Sequence, residues 1–357
     1  MSSIYFLRGA ASMLFAAFVL CLFWGCSSEP PPNPELVVVP AGWFEMGRPY
    51  DSEGQPDELP VHTVYLDEYG IGKYPVTNRE YVTVLNWALS RGYLQNQEGG
   101  PYDGGKVYAY NKPIAETFAS AQGALIRFSG GDFEALTRDG HNGTAFPMDD
   151  HPAVLITWYG AAAYTNWLSE MNGLTPCYDT DTWERIRPVP NGYRLPTEAE
   201  WERAAAWDGR RHWRYGVTSD TLEQSQANFY EDTYANPLEL RSMPYTAPVG
   251  WYNGTNPVRL SEPDVATQDA ASPAGAYDMA GNTWDWCHDW YDAEYYAGSG
   301  LANPLGASSG AYRVGRGGSW RYPRNHCRAA DRYWNWPDYN SRYQGLRVAI
   351  SPPPETP

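Results

Sequence analysis

Cysteine is scarce in this 357-residue chain, five residues in all, and histidine nearly so at six. No two cysteines have the CxxC spacing of a zinc site, and the histidines are scattered. Zinc chemistry and a Ser-His-Asp triad therefore find no support. Charge is sparse as well, at 19% of residues, and basic charge is outnumbered 26 to 42, for a formal net charge of −16. Such a chain repels phosphate backbones, which argues against nucleic acid as a partner. No repeat of fixed period is visible. Long apolar runs are confined to the N-terminus.

What is present is aromatic and loop-forming: 16 Trp, 28 Tyr, 10 Phe, 34 Gly and 30 Pro, with 43% hydrophobic residues overall. That is enough apolar material for a sizeable core, and the mixture disfavours a helical bundle or coiled coil. The length alone suggests about two domains. The order of elements reads instead as one α+β domain over residues 36–352, loop-rich with few helices.

Residues 1–25 read as a signal peptide, with Arg8 ahead of the apolar run Ala10–Phe23. The run ends at Gly25-Cys26-Ser27-Ser28, followed by Glu29-Pro30-Pro31-Pro32. This resembles a bacterial lipoprotein signal, with Cys26 acylated and residues 26–35 a Pro-rich linker holding the domain off the membrane. An uncleaved membrane anchor is the alternative. Either reading puts the protein in the bacterial cell envelope, membrane-bound and facing the periplasm or the outside.

Leu36–Pro40 and Val61–Leu66 are expected strands, as are Val314–Arg316 and Leu346–Ile350. Thr77-Asn78-Arg79-Glu80 is a capping box opening a helix to about Ser90, with Tyr81, Val84, Leu85 and Ala88 on its inner face. Thr157–Met171 is a second helix, stopped by Asn172-Gly173. Thr197-Glu198-Ala199-Glu200 caps a third, to about Trp207. The Gly-rich Gly92–Asp150 reads as loop.

Several segments occur together in one order: Phe44-Glu45-Met46-Gly47, Glu58-Leu59-Pro60-Val61-His62, Lys73-Tyr74-Pro75-Val76-Thr77-Asn78, Tyr193-Arg194-Leu195-Pro196-Thr197-Glu198-Ala199-Glu200-Trp201-Glu202, Tyr277-Asp278-Met279-Ala280-Gly281-Asn282-Thr283-Trp284-Asp285-Trp286 and Arg316-Gly317-Gly318-Ser319-Trp320. In that order they resemble the formylglycine-generating enzyme (sulfatase-modifying factor) family, over nearly the whole mature chain. The resemblance implies a variant of the C-type lectin fold. It also implies oxidation of a substrate cysteine by oxygen at a copper(I) ion held by two thiolates, a soft-ligand site. In the catalytic members the thiolates stand three and eight residues beyond the Ser of Gly-Gly-Ser. Here those positions are Tyr322 and Cys327, so one thiolate is missing and Ser319 and Cys327 are weak catalytic candidates. Cys327 could instead pair with Cys287 in a structural disulfide, closing a loop of about 40 residues for roughly 3–4 kcal/mol. Cys177 would then be an odd, buried thiol.

The resemblance also implies a Ca²⁺ site from Asp278, the carbonyls of Gly281 and Thr283, and Asp285, all hard oxygen ligands. Alternatively Asp285 caps a turn and Trp284 and Trp286 are core. The segment Ser319–Arg347 departs furthest from the family. It holds seven aromatics, six Arg and two Asp, hence +4. Arg321, Tyr322, Tyr333, Trp334, Trp336 and Tyr339 are expected on one exposed face, chemistry suited to a protein, peptide or glycan ligand. Trp320 and Leu346 are expected in the core. This layout resembles surface lipoproteins of the same family whose C-terminal binding patch is diversified by retroelements. Two functions stay open: a lipid-anchored binding protein without oxidase chemistry, and a formylglycine-generating oxidase.

Overall fold

Each of three α-helices begins at a threonine whose side-chain oxygen accepts the N–H three residues on: Thr77 from Glu80, Thr157 from Gly160 and Thr197 from Glu200, at 3.0–3.2 Å. The structure is a computed structural model that describes residues 30–50, 53–95, 102, 105–117 and 123–351. The expected signal peptide, Cys26 and the linker up to residue 29 lie outside the described residues. Among these residues no helix is long and apolar enough to cross a membrane.

Helix α1 (Asn78–Ser90) buries Tyr81, Val84, Leu85 and Ala88 along one stripe. Helix α2 (Trp158–Met171) is buried almost all round. Its Gly160 lies so close to the Ile114 carbonyl that a Cβ would stand 2.0 Å from that oxygen. Helix α3 (Glu198–Ala206) is buried at every position, its three glutamates included.

Two four-stranded sheets frame these helices. The first runs Leu36–Val39, Tyr69–Gly72, Ala349–Ile350, Tyr193–Arg194, antiparallel throughout. The second runs Tyr333–Asn335, Arg313–Arg316, Trp284–Trp290, Gln344–Leu346, with the last pair parallel. One core cluster joins α1 and α2 to Trp286 and Leu346, and another packs α3 on Phe44, Val64, Ile71 and Val314.

Three expectations need correction. Gly92–Asp150 is not simply loop: it carries short strands, including Lys106–Ala109 with Lys112–Glu116 and Ile126–Ser129 with Asp132–Ala135. Its turns are built from Gly and Asn at positive φ, which mask strands too short to show a period. Leu346–Ile350 is two strands in two sheets, because Arg347 between them turns inward to Asp285. Cys287 and Cys327 are not bridged. Both are free, buried thiols packed in separate clusters, Cys287 with Trp201 and Met279, Cys327 with Phe229 and Ala280. Cys177 is likewise free and buried.

Arginines neutralise the buried acids. Glu198 accepts Arg332 Nε at 2.7 Å and Arg316 Nη1 at 3.3 Å. Glu200 takes Arg194 through two bonds, 2.6 and 2.7 Å. Glu202 takes Arg316, His212 Nε2 at 3.1 Å and the Gly47 N–H at 2.6 Å. Glu58, wholly buried, is held by both arms of Arg328 at 2.6 and 2.8 Å. Burial alone would raise the Glu200 and Glu202 carboxyls, but Arg194 and Arg316 outweigh it and hold both below the usual carboxylate range.

Removing one partner of such a pair strands a buried charge, at about 3–5 kcal/mol. Arg316→Met should therefore lower the urea-unfolding free energy by that order. Because the folded carboxyls are depressed, their stabilisation is present at neutral pH and lost as pH falls through the carboxylate range below ~4.5. A wild-type unfolding free energy unchanged between pH 7 and pH 3 would contradict this.

Candidate functional site

The C-terminal segment crosses the second sheet as the edge strand Tyr333–Asn335, and strand alternation divides its aromatics. Tyr333 turns to one side, where it stacks on Trp284 at 4.6 Å and 17° and meets Tyr322 at 5.9 Å. Trp334 turns to the other, against Tyr312 at 4.4 Å and Tyr291 at 5.6 Å, with Trp336 beside it on Tyr312. The expected single face is thus two clusters. Trp334 and Trp336 are 41% and 53% exposed, whereas Tyr322, Tyr333 and Tyr339 are half-buried.

Tyr339 Oη lies 2.9 Å from Tyr343 Oη. Burial tends to raise Tyr343, but hydrogen bonds from Tyr339, Tyr322 and Tyr333 bring its pKa below the usual tyrosine value, while Tyr333 and Tyr339 are raised, first by burial. Tyr343 thus sits in a four-tyrosine cluster with Tyr322, Tyr333 and Tyr339. Arg321 lies over the Tyr343 ring at 5.8 Å.

Beside this cluster opens a cavity of about 670 Å³. Arg321, Tyr339, Asn340, Ser341, Arg342 and Tyr343 form one wall, Trp320 another, and Glu116, Leu155 and Met243 close it. Of the six residues expected on the face, Arg321 and Tyr339 line the cavity; Tyr322, Tyr333, Trp334 and Trp336 do not. Arg342 and Tyr343 lie in the same basic-aromatic segment, which could have flagged them. Glu116, at the end of the strand Lys112–Glu116, and Leu155 and Met243, from loops, are distant in sequence and carry no sequence signal.

The segment's other arginines are spent inside. Arg328, Arg332 and Arg347 are buried on Glu58, Glu198 and Asp285, and Arg324 is ion-paired with Glu231. Trp320 and Leu346 are buried, as expected for core positions.

At the Asp278–Asp285 segment, Asp278 and Gly281 both adopt positive φ. Asp278 Oδ2 accepts the Gly250 N–H at 2.7 Å, and burial raises its carboxyl to about 6. Asp285 Oδ2 accepts Trp201 Nε1 and Arg347 Nε, both at 3.0 Å. Its Oδ1 and the Thr283 hydroxyl are buried with no protein partner. Arg347 also donates to the Tyr277 carbonyl at 2.8 Å, clamping the segment from both ends.

A family model, the sulfatase-modifying factor enzyme 1-like domain, matches residues 26–352. The chain belongs to this family. It is 30% identical to the formylglycine-generating enzyme of Streptomyces coelicolor, over 91% of this chain and 92% of that protein. It is also 31% identical to the serine/threonine-protein kinase pkn1 of Chlamydia pneumoniae, over 90% of this chain but only 39% of that one. The chain therefore spans about two-fifths of the chlamydial relatives it matches. Among solved structures it resembles Treponema denticola variable protein 1 (TM-score 0.52, 22% identity, 89% of this chain and 95% of that one) and PvdO from Pseudomonas aeruginosa (TM-score 0.54, 24% identity, 89% and 94%). At such identities the likeness shows the fold alone, an α+β sulfatase-modifying-factor domain.

The copper chemistry implied by the family does not fit these residues. Tyr322 stands among tyrosines, and Cys327 is a lone buried thiol whose pKa burial pushes far up, away from thiolate. Ser319 is fully buried. Among the described residues no cluster of three His, Cys, Asp or Glu side chains forms a metal site.

The two aromatic clusters should respond differently to truncation. Tyr333→Ala removes a stacked ring from Trp284 and should cost about 1–3 kcal/mol. Trp334→Ala, at an exposed position, should cost less than ~1 kcal/mol. Urea melts of both variants check the order; a larger loss for Trp334→Ala would reverse the assignment of faces.

Proposed function

We propose that this protein is a lipid-anchored ligand-binding member of the sulfatase-modifying-factor family and not an oxidase. The observation that carries this reading is the pairing of an open, Arg- and Tyr-lined cavity with a missing thiolate. Arg321 and Arg342 bring two forked cations to the rim, and Tyr339 and Tyr343 supply broad amphipathic rings over the buried Trp320. Such residues give most contact area for least lost entropy, and the guanidinium fork meets carboxylate or phosphate oxygens bidentately. A protein, peptide or glycan with acidic groups suits the cavity best.

Arg321→Ala combined with Tyr339→Ala should reduce capture of an acidic peptide or glycan array ligand at least thirtyfold, about 2 kcal/mol, without lowering the melting temperature. A cysteine-containing sulfatase-type peptide incubated with the protein, copper(I) and oxygen should show no aldehyde by mass spectrometry. Aldehyde formed with turnover would restore the oxidase.

The Asp278–Asp285 segment is proposed to hold Ca²⁺. Two carboxylates and the carbonyls of Gly281 and Thr283 are hard donors, and the partnerless Asp285 Oδ1 is an oxygen a cation would satisfy. The ion would tie the loop before the strand Trp284–Trp290 to that strand, a structural role. Chelation with EGTA should lower the wild-type melting temperature, since a ligand bound only by the folded state stabilises it. Asp278→Asn should blunt that response; a wild-type melt indifferent to EGTA speaks against the site.

The anchor is proposed to be acylated Cys26, placing the domain in the bacterial envelope. Each buried methylene contributes about 0.8 kcal/mol, so two or more chains would hold it firmly. Cys26→Ala should shift the protein from the membrane to the soluble fraction, and unchanged partition would point to another anchor.

A further inference from the structure

A second cavity, of about 250 Å³, shares no lining residue with the first. It lies beside the N-terminus of α3, where Arg185, Arg187 and Arg194 converge with Glu200, Thr197 and Ser351. Both terminal nitrogens of Arg194 are engaged there: besides Glu200, they donate to the Leu195 carbonyl at 3.2 Å and to the Ser351 hydroxyl, and only its buried Nε lacks an acceptor. Arg185 is not engaged in this way. Among the described residues its guanidinium has no hydrogen bond and no carboxylate, and its Nε is buried without an acceptor. Arg187, exposed at the rim, likewise has no ion-pair partner among them. Asp67 at the mouth is occupied by Asn303 Nδ2 at 2.8 Å.

The buried Nε of half-buried Arg185 has no acceptor, and buried donors normally find one. Arg194 and Glu200 act on this guanidinium in opposite senses. Burial, and after it Arg194, draws the Arg185 pKa down to about 10. Buried His288 is held well below its usual value, first by burial and then by Arg185, Arg313, Arg194 and Arg187. Four arginines thus act on one neutral imidazole. This occurs inside a chain of net charge −16.

We propose that this cavity binds a small phosphate- or sulfate-type oxyanion, gripped by Arg185 and Arg187 above a fixed Arg194–Glu200 pair. Three arginines against Glu200 and Asp67 leave the lining one positive charge in excess, which calls for an oxyanion. Its oxygens also offer enough acceptors for two planar forks. The volume is below the ~300–1,000 Å³ of drug-sized sites, so the ligand is no larger than a headgroup or a small phosphorylated metabolite. The phosphate could come from a soluble ester or from a lipid headgroup.

The test is calorimetric titration of inorganic phosphate into the full chain, against sodium chloride at equal ionic strength. Saturable binding is expected with phosphate and none with chloride. R185Q and R187Q should each weaken it at least tenfold, and R185Q should not lower the melting temperature in phosphate-free buffer, because it removes an unpaired charge. Equal responses to phosphate and chloride would overturn the proposal. So would phosphate affinity unchanged in R187Q, a rim variant that does not depend on R185Q folding. Co-sedimentation of the Cys26→Ala chain with phosphatidic acid–phosphatidylcholine (1:4) vesicles, abolished by R187Q, would assign the phosphate to a lipid. Phosphate titration without such co-sedimentation would assign it to a soluble ester.

Discussion

Three glutamates on one buried helix organise this molecule. Glu198 and Glu202, one turn apart on α3, share Arg316, while Glu200 between them points away to Arg194, and each buried charge must be neutralised where it points. Two of their cations come from far along the chain, Arg332 and Arg316 from the C-terminal third; Arg194 comes from the strand just before the helix. Glu58 repeats the arrangement with Arg328. Each pair fixes the relative position of two segments with no pairing by sheet hydrogen bonds. A loop-rich chain of few helices needs such fasteners, because little of its backbone lies in long ladders.

That requirement reshapes the C-terminal segment. Its +4 charge suggests a basic binding patch, yet three of its six arginines face inward to acids. What remains for a ligand is Arg321 and Arg342 at the mouth of one cavity, with Tyr339, Tyr343 and Trp320 as walls. The exposed Trp334 and Trp336 form a separate aromatic platform on the other face of the edge strand. The proposed binding surface is therefore smaller than the composition implies.

The same packing supports the proposal that the domain is not an oxidase. A copper(I) thiolate site needs two accessible sulfurs that ionise readily. Cys327 is sealed beneath Gly318, whose absent Cβ would stand 2.6 Å from the sulfur, and its neighbour position is a tyrosine inside an aromatic cluster. Burial keeps the thiol protonated. The scaffold is retained while the reactive pair is not, which favours recognition over redox chemistry.

The sequence by itself determined the family, the three helix starts and the inward faces of α1. Each rests on local chemistry: a threonine oxygen within reach of an N–H three residues on, or an apolar stripe at helical spacing. It also located the departure from the thiolate pattern, since that is a matter of residue identity at a fixed spacing. Tertiary structure alone decided which arginines are buried, because an Arg that meets Glu58 and one that meets solvent read alike in the chain. It decided the fate of Cys287 and Cys327, whose spacing permitted a bridge that their separate packing does not form. It brought Arg185 and Arg187 to the wall that holds Arg194, and Glu116 and Met243 to Arg321. Contacts across a hundred residues or more are set by how the core closes, and no local pattern encodes them.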